Sequence, residues 1–386
     1  MSGALADVRI VDLTGVGMGP MATQLLGDMG ADVIKVESAE GDVFRHVTPQ
    51  RHEAMSHAFL NLNRNKRSIV VDLKDAAQHD DFMALLETAD VFVSNMRAAA
   101  LARLGLDPVS LSARLPRLIH CSCYGYSERG PYAGRAAVDD TIQAASGLAW
   151  LQGDAGASAP TYVKSVVADK VVALYVAQAV KAALYSRERN GKGQSVEVPM
   201  FECMVSFLSA EHLAGKTFVP AQGPTGYSRL LNAFRRPFRT LDGYLAVVPY
   251  TNAQWRRFFA LAGDPQLNDD ERYATAVSRS RHFPELYAYV ETALSSRTTA
   301  EWVADLATAD MPFAPVNSLD DLIDDEHLKA IGFWRTVEHP TEGTLLQAGM
   351  PIHFSGTPSE VTRHAPSLGE HTAELLAERQ ADREIR

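Results

Sequence analysis

The stretch from Val8 to Glu37 constrains the fold more than any other. Val8-Arg-Ile10-Val11-Asp-Leu13 is a short apolar run, read as a buried strand, and it enters Thr14-Gly15-Val-Gly17-Met-Gly19-Pro20. A helical pattern follows, with Met21, Ala22, Leu25, Leu26 and Met29 on one face. Gly30 stops it, and Ala31-Asp-Val33-Ile34-Lys-Val36-Glu37 is the next strand. A strand–helix–strand unit with a glycine-rich first turn predicts parallel strands joined by a crossover helix. Pro20 is expected at the first helical position, where a missing N–H costs nothing. Gly17-x-Gly19-x-x-Ala22 also fits the dinucleotide fingerprint, and Glu37 falls where that fingerprint places its acid. An NAD-dependent dehydrogenase is therefore one reading; a tight turn bringing helix against sheet is another.

The alternation continues. Asn61-Leu-Asn63-Arg64-Asn65-Lys66-Arg67-Ser68 is a basic, amide-rich loop running into a strand over Ile69–Lys74, then a helix carrying Phe82, Met83, Leu85 and Leu86. Val91–Val93 leads into Ser94-Asn95-Met96-Arg97, and Arg117–Cys123 leads into a glycine-bearing loop that reaches Gly130. Four strands thus end in loops carrying Lys, Arg, Asn or Gly. In an open α/β sheet such loops form the ligand crevice, and cations there suit a phosphate-bearing ligand.

The second anchor is Pro160 to Glu202. Here Asp169 opens a long apolar helical pattern through Val172, Leu174, Val176, Ala179, Val180, Ala183 and Leu184. Gly191-Lys-Gly193 suits its C-cap, and a strand resumes at Gln194–Pro199. An acid in the first turn faces the partial positive charge of the helix N-terminus and is expected to stay ionised. It serves either as a helix cap or, in a dry pocket, as a nucleophile toward an activated acyl group.

Charge and composition exclude several classes. The 37 basic and 47 acidic residues leave a net charge of −10, against a nucleic-acid-binding surface. Cys121, Cys123 and Cys203 make no disulfide framework and no redox or zinc spacing. The first residues have no basic n-region, and no apolar run approaches about 18 residues free of charge, so a cytoplasmic protein without signal peptide or membrane span is expected. His52-Glu-Ala-Met-Ser-His57 misses the zincin spacing and Gly125–Gly130 misses the nucleophile elbow, so no metal is assigned.

The length favours two domains. Residues 1–200 read as the first part of a large ligand-binding domain, 201–240 as a linker, 241–330 as a small α/β domain, and 331–386 as a linker and return to the large one. Within the small domain a strand is expected at Gly243–Pro249. Helices are expected at Asn252–Leu261, Pro284–Leu294 and Thr299–Leu306, the last opened by a Thr298/Glu301 capping box, and over residues 318–331. A strand at Gly343–Gln347 and a helix at Thr372–Glu378 close the chain.

Several blocks, in order along nearly the whole chain, resemble the family III CoA-transferases. They are Asp12-Leu-Thr with Pro20, Gly30–Glu37, Asn63-x-Asn-Lys66-Arg67-Ser, Leu104–Asp107, Gly130–Arg135, Ser146-Gly-Leu, Asp169 with its helix, Glu188–Gln194, Pro237-Phe-Arg239, Pro315-Val and Leu368–Thr372. The resemblance implies a Rossmann-like large domain with a parallel sheet, a smaller α/β domain and an interlocked homodimer. It implies CoA transfer from an acyl-CoA donor to a carboxylic acid acceptor through a covalent aspartyl-CoA thioester on Asp169, with CoA thioester as substrate and no prosthetic group. By position the family's CoA contacts fall on Gly17, Met18, Val71, Asp72, Leu73, Lys74, Asn95, Met96, Arg97, Arg103, Arg135 and Asp139. Lys74, Arg97, Arg103 and Arg135 together favour CoA over NAD. An acyl-CoA racemase of the same superfamily is the alternative; where racemases place a catalytic histidine this chain has Val138-Asp139. Many transferases carry a glutamine where Gly17 stands, and the run of glycines that covers the intermediate in the formyl-CoA enzymes is missing, with Gly223 and Gly226 a weak substitute.

Overall fold

The computed structural model describes residues 3–153, 158–231, 234–375 and 377–378. The chain divides into two units: Met1–Gln152, Thr161–Leu208 and Ala330–Arg386 form the first, Gly153–Pro160 and Ser209–Lys329 the second.

The first unit opens β1 (Arg9–Leu13), α1 (Met18–Asp28), β2 (Asp32–Glu37), α2 (His57–Leu62), β3 (Lys66–Val70), α3 (Ala76–Leu86) and β4 (Val91–Ser94). It continues α4 (Ala98–Arg103), α5 (Pro108–Arg114), β5 (Ile119–Tyr124), α6 (Asp139–Ala145), α7 (Leu148–Gln152), α8 (Val167–Asn190), β6 (Ser195–Pro199) and α9 (Met200–His212), whose last turn passes into the second unit. The six strands are all parallel in the order β3-β2-β1-β4-β5-β6. The strand order reverses direction between β1 and β4, and a crevice is expected beyond their carboxyl ends.

Pleating decides the two layers. Ile10, Val33, Val91, Val93, Ile119 and Cys121 point to the face covered by α1 and α8. Val11, Ile34 and Phe92 point to the face covered by Phe82, Met83 and Leu86 of α3 with Leu101 and Leu111 of α4 and α5. Helix α8 buries Val172, Ala173, Val176, Val180 and Ala183 and leaves Leu174 and Tyr185 exposed, so it is apolar beyond the stripe it packs. Gly191 caps it at φ +73°, a conformation that costs glycine nothing.

The basic loop before the third strand corrects the sequence expectation. Strand β3 is Lys66–Val70, not Ile69–Lys74, so Lys66 and Arg67 enter the sheet at its amino edge. Lys66 is fully buried against Asp12 (Nζ–Oδ2 3.0 Å), and Arg67 holds Asp32 (2.7 Å). Arg64 pairs with Asp28 at 2.7 Å. These cations neutralise neighbouring strands and helices and do not face a ligand. The chain end is stitched to the same edge: His371 N–H donates to Ser68 O (2.9 Å), Asn65 N–H to Arg363 O (3.0 Å), and Arg67 reaches Glu374 (3.0 Å).

The second unit contains β7 (Phe238–Arg239), β8 (Tyr244–Val247), α10 (Asn252–Leu261), α11 (Ala276–Arg281), α12 (Phe283–Leu294), α13 (Thr299–Thr308), β9 (Phe313–Pro315), α14 (Asp321–Asp324) and all but the last residue of α15 (Glu326–Ala330). Its three strands are antiparallel in the order β7-β8-β9, over a core of Leu245, Trp255, Phe258, Leu286 and Trp302. The Thr298/Glu301 capping box forms. The single helix expected over 318–331 is instead α14 and α15, broken where Asp325 turns extended (ψ 126°). Back in the first unit, β10 (Trp334–His339) pairs antiparallel with β11 (Gly343–Ala348). Residues 372–375 and 377–378 are helical, and residue 376 of the expected last helix lies outside the described residues.

Candidate active site

Asp169 occupies the third position of α8, a helix of 24 residues whose start is set by Val166 at non-helical angles. Position three points the side chain back over the helix N-terminus, toward the carboxyl ends of the strands. The residue is buried, 7% exposed. Its own N–H donates to Asp139 Oδ1 (3.0 Å). Asp139 opens α6 and is fixed through Oδ2 by Gln143 Nε2 (2.6 Å), while Gln143 Oε1 accepts from Val163 N–H (2.9 Å). Burial, reinforced by the Asp139 charge, pushes the Asp169 carboxyl up to about 7. The expectation of a firmly ionised acid is thereby corrected: desolvation and a second carboxylate oppose the helix dipole.

Gly17 faces this carboxyl from the start of α1. A Cβ built there would collide with Asp169 Oδ2 and stand 3.2 Å from Cγ. A Cβ at Gly19 would collide with Thr14 instead. Both fingerprint glycines therefore answer to neighbouring side chains. Pro20 is the third, not the first, residue of α1, still within the turn whose N–H groups need no partner. Glu37, the fingerprint's acid, accepts from Arg45 (Oε1–Nη2 2.7 Å, Oε2–Nε 2.7 Å), from Ser68 Oγ (2.8 Å) and from the Asp42 N–H (3.0 Å), four donors that fill the sites of one carboxylate.

Two clefts open along the carboxyl edge of the sheet. One, about 280 Å³, is lined by Gly17, Met18, Phe44, Asn95, Asp139 and Asp169 together with Val138, Asp140 and Met200. The other, about 640 Å³, is lined by Val71, Asp72, Leu73, Lys74, Met96 and Arg103 with Ser38 and Glu40. Asn95 and Met96 are neighbours in the chain, one in each cleft. Of the residues singled out from sequence, Arg97 and Arg135 line neither: Arg97 sits exposed before α4, and Arg135 stacks over the Tyr132 ring at 3.9 Å. The sequence reading placed Asp139 among CoA contacts and missed its bond to Asp169. The signal was an acid pair at a helix start, Asp139-Asp140, in a segment 30 residues away. Among the described residues no group of three or more His, Cys, Asp or Glu side chains is placed to hold a metal ion, and no helix is long and apolar enough to cross a membrane.

Comparison with known proteins decides the family. The profile of CoA-transferase family III matches residues 5–372. The chain belongs to CoA-transferase family III. It is an enzyme of that family, similar to a succinate–glutarate CoA-transferase of Agrobacterium fabrum (34% identity, 97% of this chain and 95% of that one). It is also similar to a formyl-CoA:oxalate CoA-transferase of Rhodopseudomonas palustris (31% identity, 97% and 93%). Among solved structures, a CaiB/BaiF family protein from Brucella suis superposes with a TM-score of 0.83 at 31% identity, over 98% of this chain and 100% of that one. Family III membership implies acyl-CoA and acid substrates, and Lys74 and Arg103 are the cations that line the second cleft.

Proposed function

We propose that this family III enzyme transfers CoA between an acyl-CoA donor and a carboxylic acid acceptor through covalent intermediates on Asp169. The observation that carries the proposal is a buried carboxyl, titrating near neutrality, on the wall of a cleft with no Lys, Arg or His among its described lining residues. A salt-bridged carboxylate would be a poor nucleophile. Among the described residues no cation pairs with this one, and it is oriented by the helix that carries it.

Asp169 Oδ attacks the thioester carbonyl, the C–S bond breaks, and CoA leaves as thiolate. The thiolate attacks Asp169 Cγ and releases the donor acid, leaving an aspartyl-CoA thioester. The acceptor carboxylate attacks the same Cγ and releases CoA thiolate again. That thiolate takes the acyl group from the new anhydride and regenerates Asp169. Each tetrahedral oxyanion forms beside the N-terminus of α8, whose partial positive charge stabilises it. Val71 to Lys74, Met96 and Arg103 would hold the nucleotide of CoA, and Gly17 and Met18 its thiol end, while both polar atoms of the Asn95 side chain are taken up by Gly15. Asp139 positions Asp169 through its backbone N–H, and Arg97 and Arg135 reach the phosphates only by moving. The three free cysteines suit a reducing cytoplasmic setting. An interlocked homodimer completes the proposal, supported by the family.

The test is direct. Succinyl-, formyl- and longer acyl-CoA donors are paired with glutarate, oxalate and monocarboxylates, and products are read by mass spectrometry. Asp169→Ala should abolish transfer while donor affinity changes little, because the lost bond exists only along the reaction path. Donor alone should leave an adduct on the peptide Val163–Lys181, trapped by hydroxylamine. Full activity in Asp169→Ala, or an adduct on Asp139 or Asp140, would sink the assignment.

A further inference from the structure

The loop that brings Gly17 against Asp169 is held in a strained shape. Val16 has φ +72°, a region where a β-branched side chain clashes with its own backbone. Such a residue persists only when its surroundings over-determine it. Three side chains do so here. Asp42 Oδ1 accepts the Val16 N–H at 2.9 Å. Its Oδ2 is paired with Lys35 Nζ (2.9 Å), and the same ammonium donates to Thr14 O (2.7 Å). From the other side Asn95 brackets Gly15: Oδ1 accepts from its N–H (3.2 Å) and Nδ2 donates to its carbonyl (2.9 Å).

The clamp is itself anchored. The Asp42 and Lys35 side chains are 1% and 0% exposed. Against desolvation, which acts to raise it, the Lys35 charge and the Val16 and Phe44 amides hold the Asp42 carboxyl below its usual range. Asp42 N–H donates to Glu37 Oε2 (3.0 Å), and Arg45 grips that carboxylate. Buried ion pairs contribute little net stability, so an ion pair invested in one strained peptide calls for another explanation.

We propose that Lys35, Asp42 and Asn95 are positioning residues for Asp169: they lock Thr14–Gly17 in the strained conformation that sets the Gly17 backbone as one wall of the nucleophile's pocket. Without the clamp, Val16 relaxes to negative φ, the peptide before Gly17 turns, and the wall withdraws. The carboxyl then samples orientations from which attack fails. This inference rests on Asp169 as nucleophile.

The experiment compares Asp42→Asn and Asn95→Ala, each alone and combined with Val16→Gly. Steady-state rates are measured with succinyl-CoA and glutarate, or with the fastest pair from the panel above, alongside thermal melting and an Asp169→Ala control. Asp42→Asn should lower kcat by about 10- to 100-fold, as misplacement by about an ångström does, with donor KM within about threefold. Adding Val16→Gly should return most of the lost kcat, because glycine holds positive φ without strain and an unclamped loop then has nothing to relax. Asn95→Ala should show the same loss and the same rescue, and it carries the test if Asp42→Asn does not fold. A purely structural role predicts a lowered melting temperature with kcat per folded molecule unchanged; that result overturns the proposal. So does a kcat loss that Val16→Gly fails to recover, or a change confined to KM. Transfer surviving in Asp169→Ala would instead remove the reading beneath it, whatever the loop variants do.

Discussion

At Asp169 the helix N-terminus favours the charged carboxylate, while burial and Asp139 favour the neutral acid and lift it to about 7. Only the carboxylate attacks. Below that pH kcat/KM should fall about tenfold per unit as the proton goes on, and above it the profile should level. Asp139 and Asp140 line the same cleft. Initial rates between pH 5 and 9 test this; a profile flat from 5.5 to 8 would contradict it. Gly17→Ala is the companion prediction. Its methyl group would displace the Asp169 carboxyl, so kcat should drop by about 100-fold while the melting temperature moves little. Retained turnover would show that the carboxyl has another productive position. Asp169 stood out in the sequence as an acid opening a long apolar helical pattern, with a helix cap as the other reading. Asp139 as its partner did not, since that contact arises from the packing of α6 on α8. Gly17 showed in the sequence as a fingerprint glycine and a CoA-contact position, and its approach to Asp169 did not show.

Among the elements, the crossover α1 and the central strands were readable from periodicity, and β3 was misread. Its first residues, Lys66 and Arg67, have the composition of a loop. They are buried against Asp32 on the adjacent β2 and Asp12 on β1, one strand further in, pairings that depend on strand order. Asp12 also accepts from Thr14 Oγ1 (2.5 Å) and Thr23 Oγ1 (2.6 Å), so it ties β1, α1 and β3 together. Asp12→Ala would leave Lys66 buried without its counter-charge, and breaking such a pair costs about 3–5 kcal/mol. Urea denaturation of the variant should show that loss. A change under about 1 kcal/mol would mean that water or rearrangement satisfies Lys66.

At the scale of the whole molecule, the strand–helix alternation identified an α/β fold with parallel strands, and the strand order then put two clefts at one edge. Exposed Leu174 and Tyr185 on α8 and Phe207 on α9 suit the proposed homodimer. Sedimentation should give a single dimer that persists at nanomolar protein; a reversible monomer would count against interlocked chains. The bonds from Asn65, Arg67 and Ser68 to residues 363–374 have a consequence for biosynthesis. The second unit, almost all within Ser209–Lys329, is a nearly continuous run that a ribosome can deliver whole. The first unit cannot cover the outer strand β3 until residues 363–374 emerge. A nascent chain therefore carries an open sheet edge from β3 until that point, and a chain stopped before residue 363 would leave that edge bare while the residues of both clefts are already made.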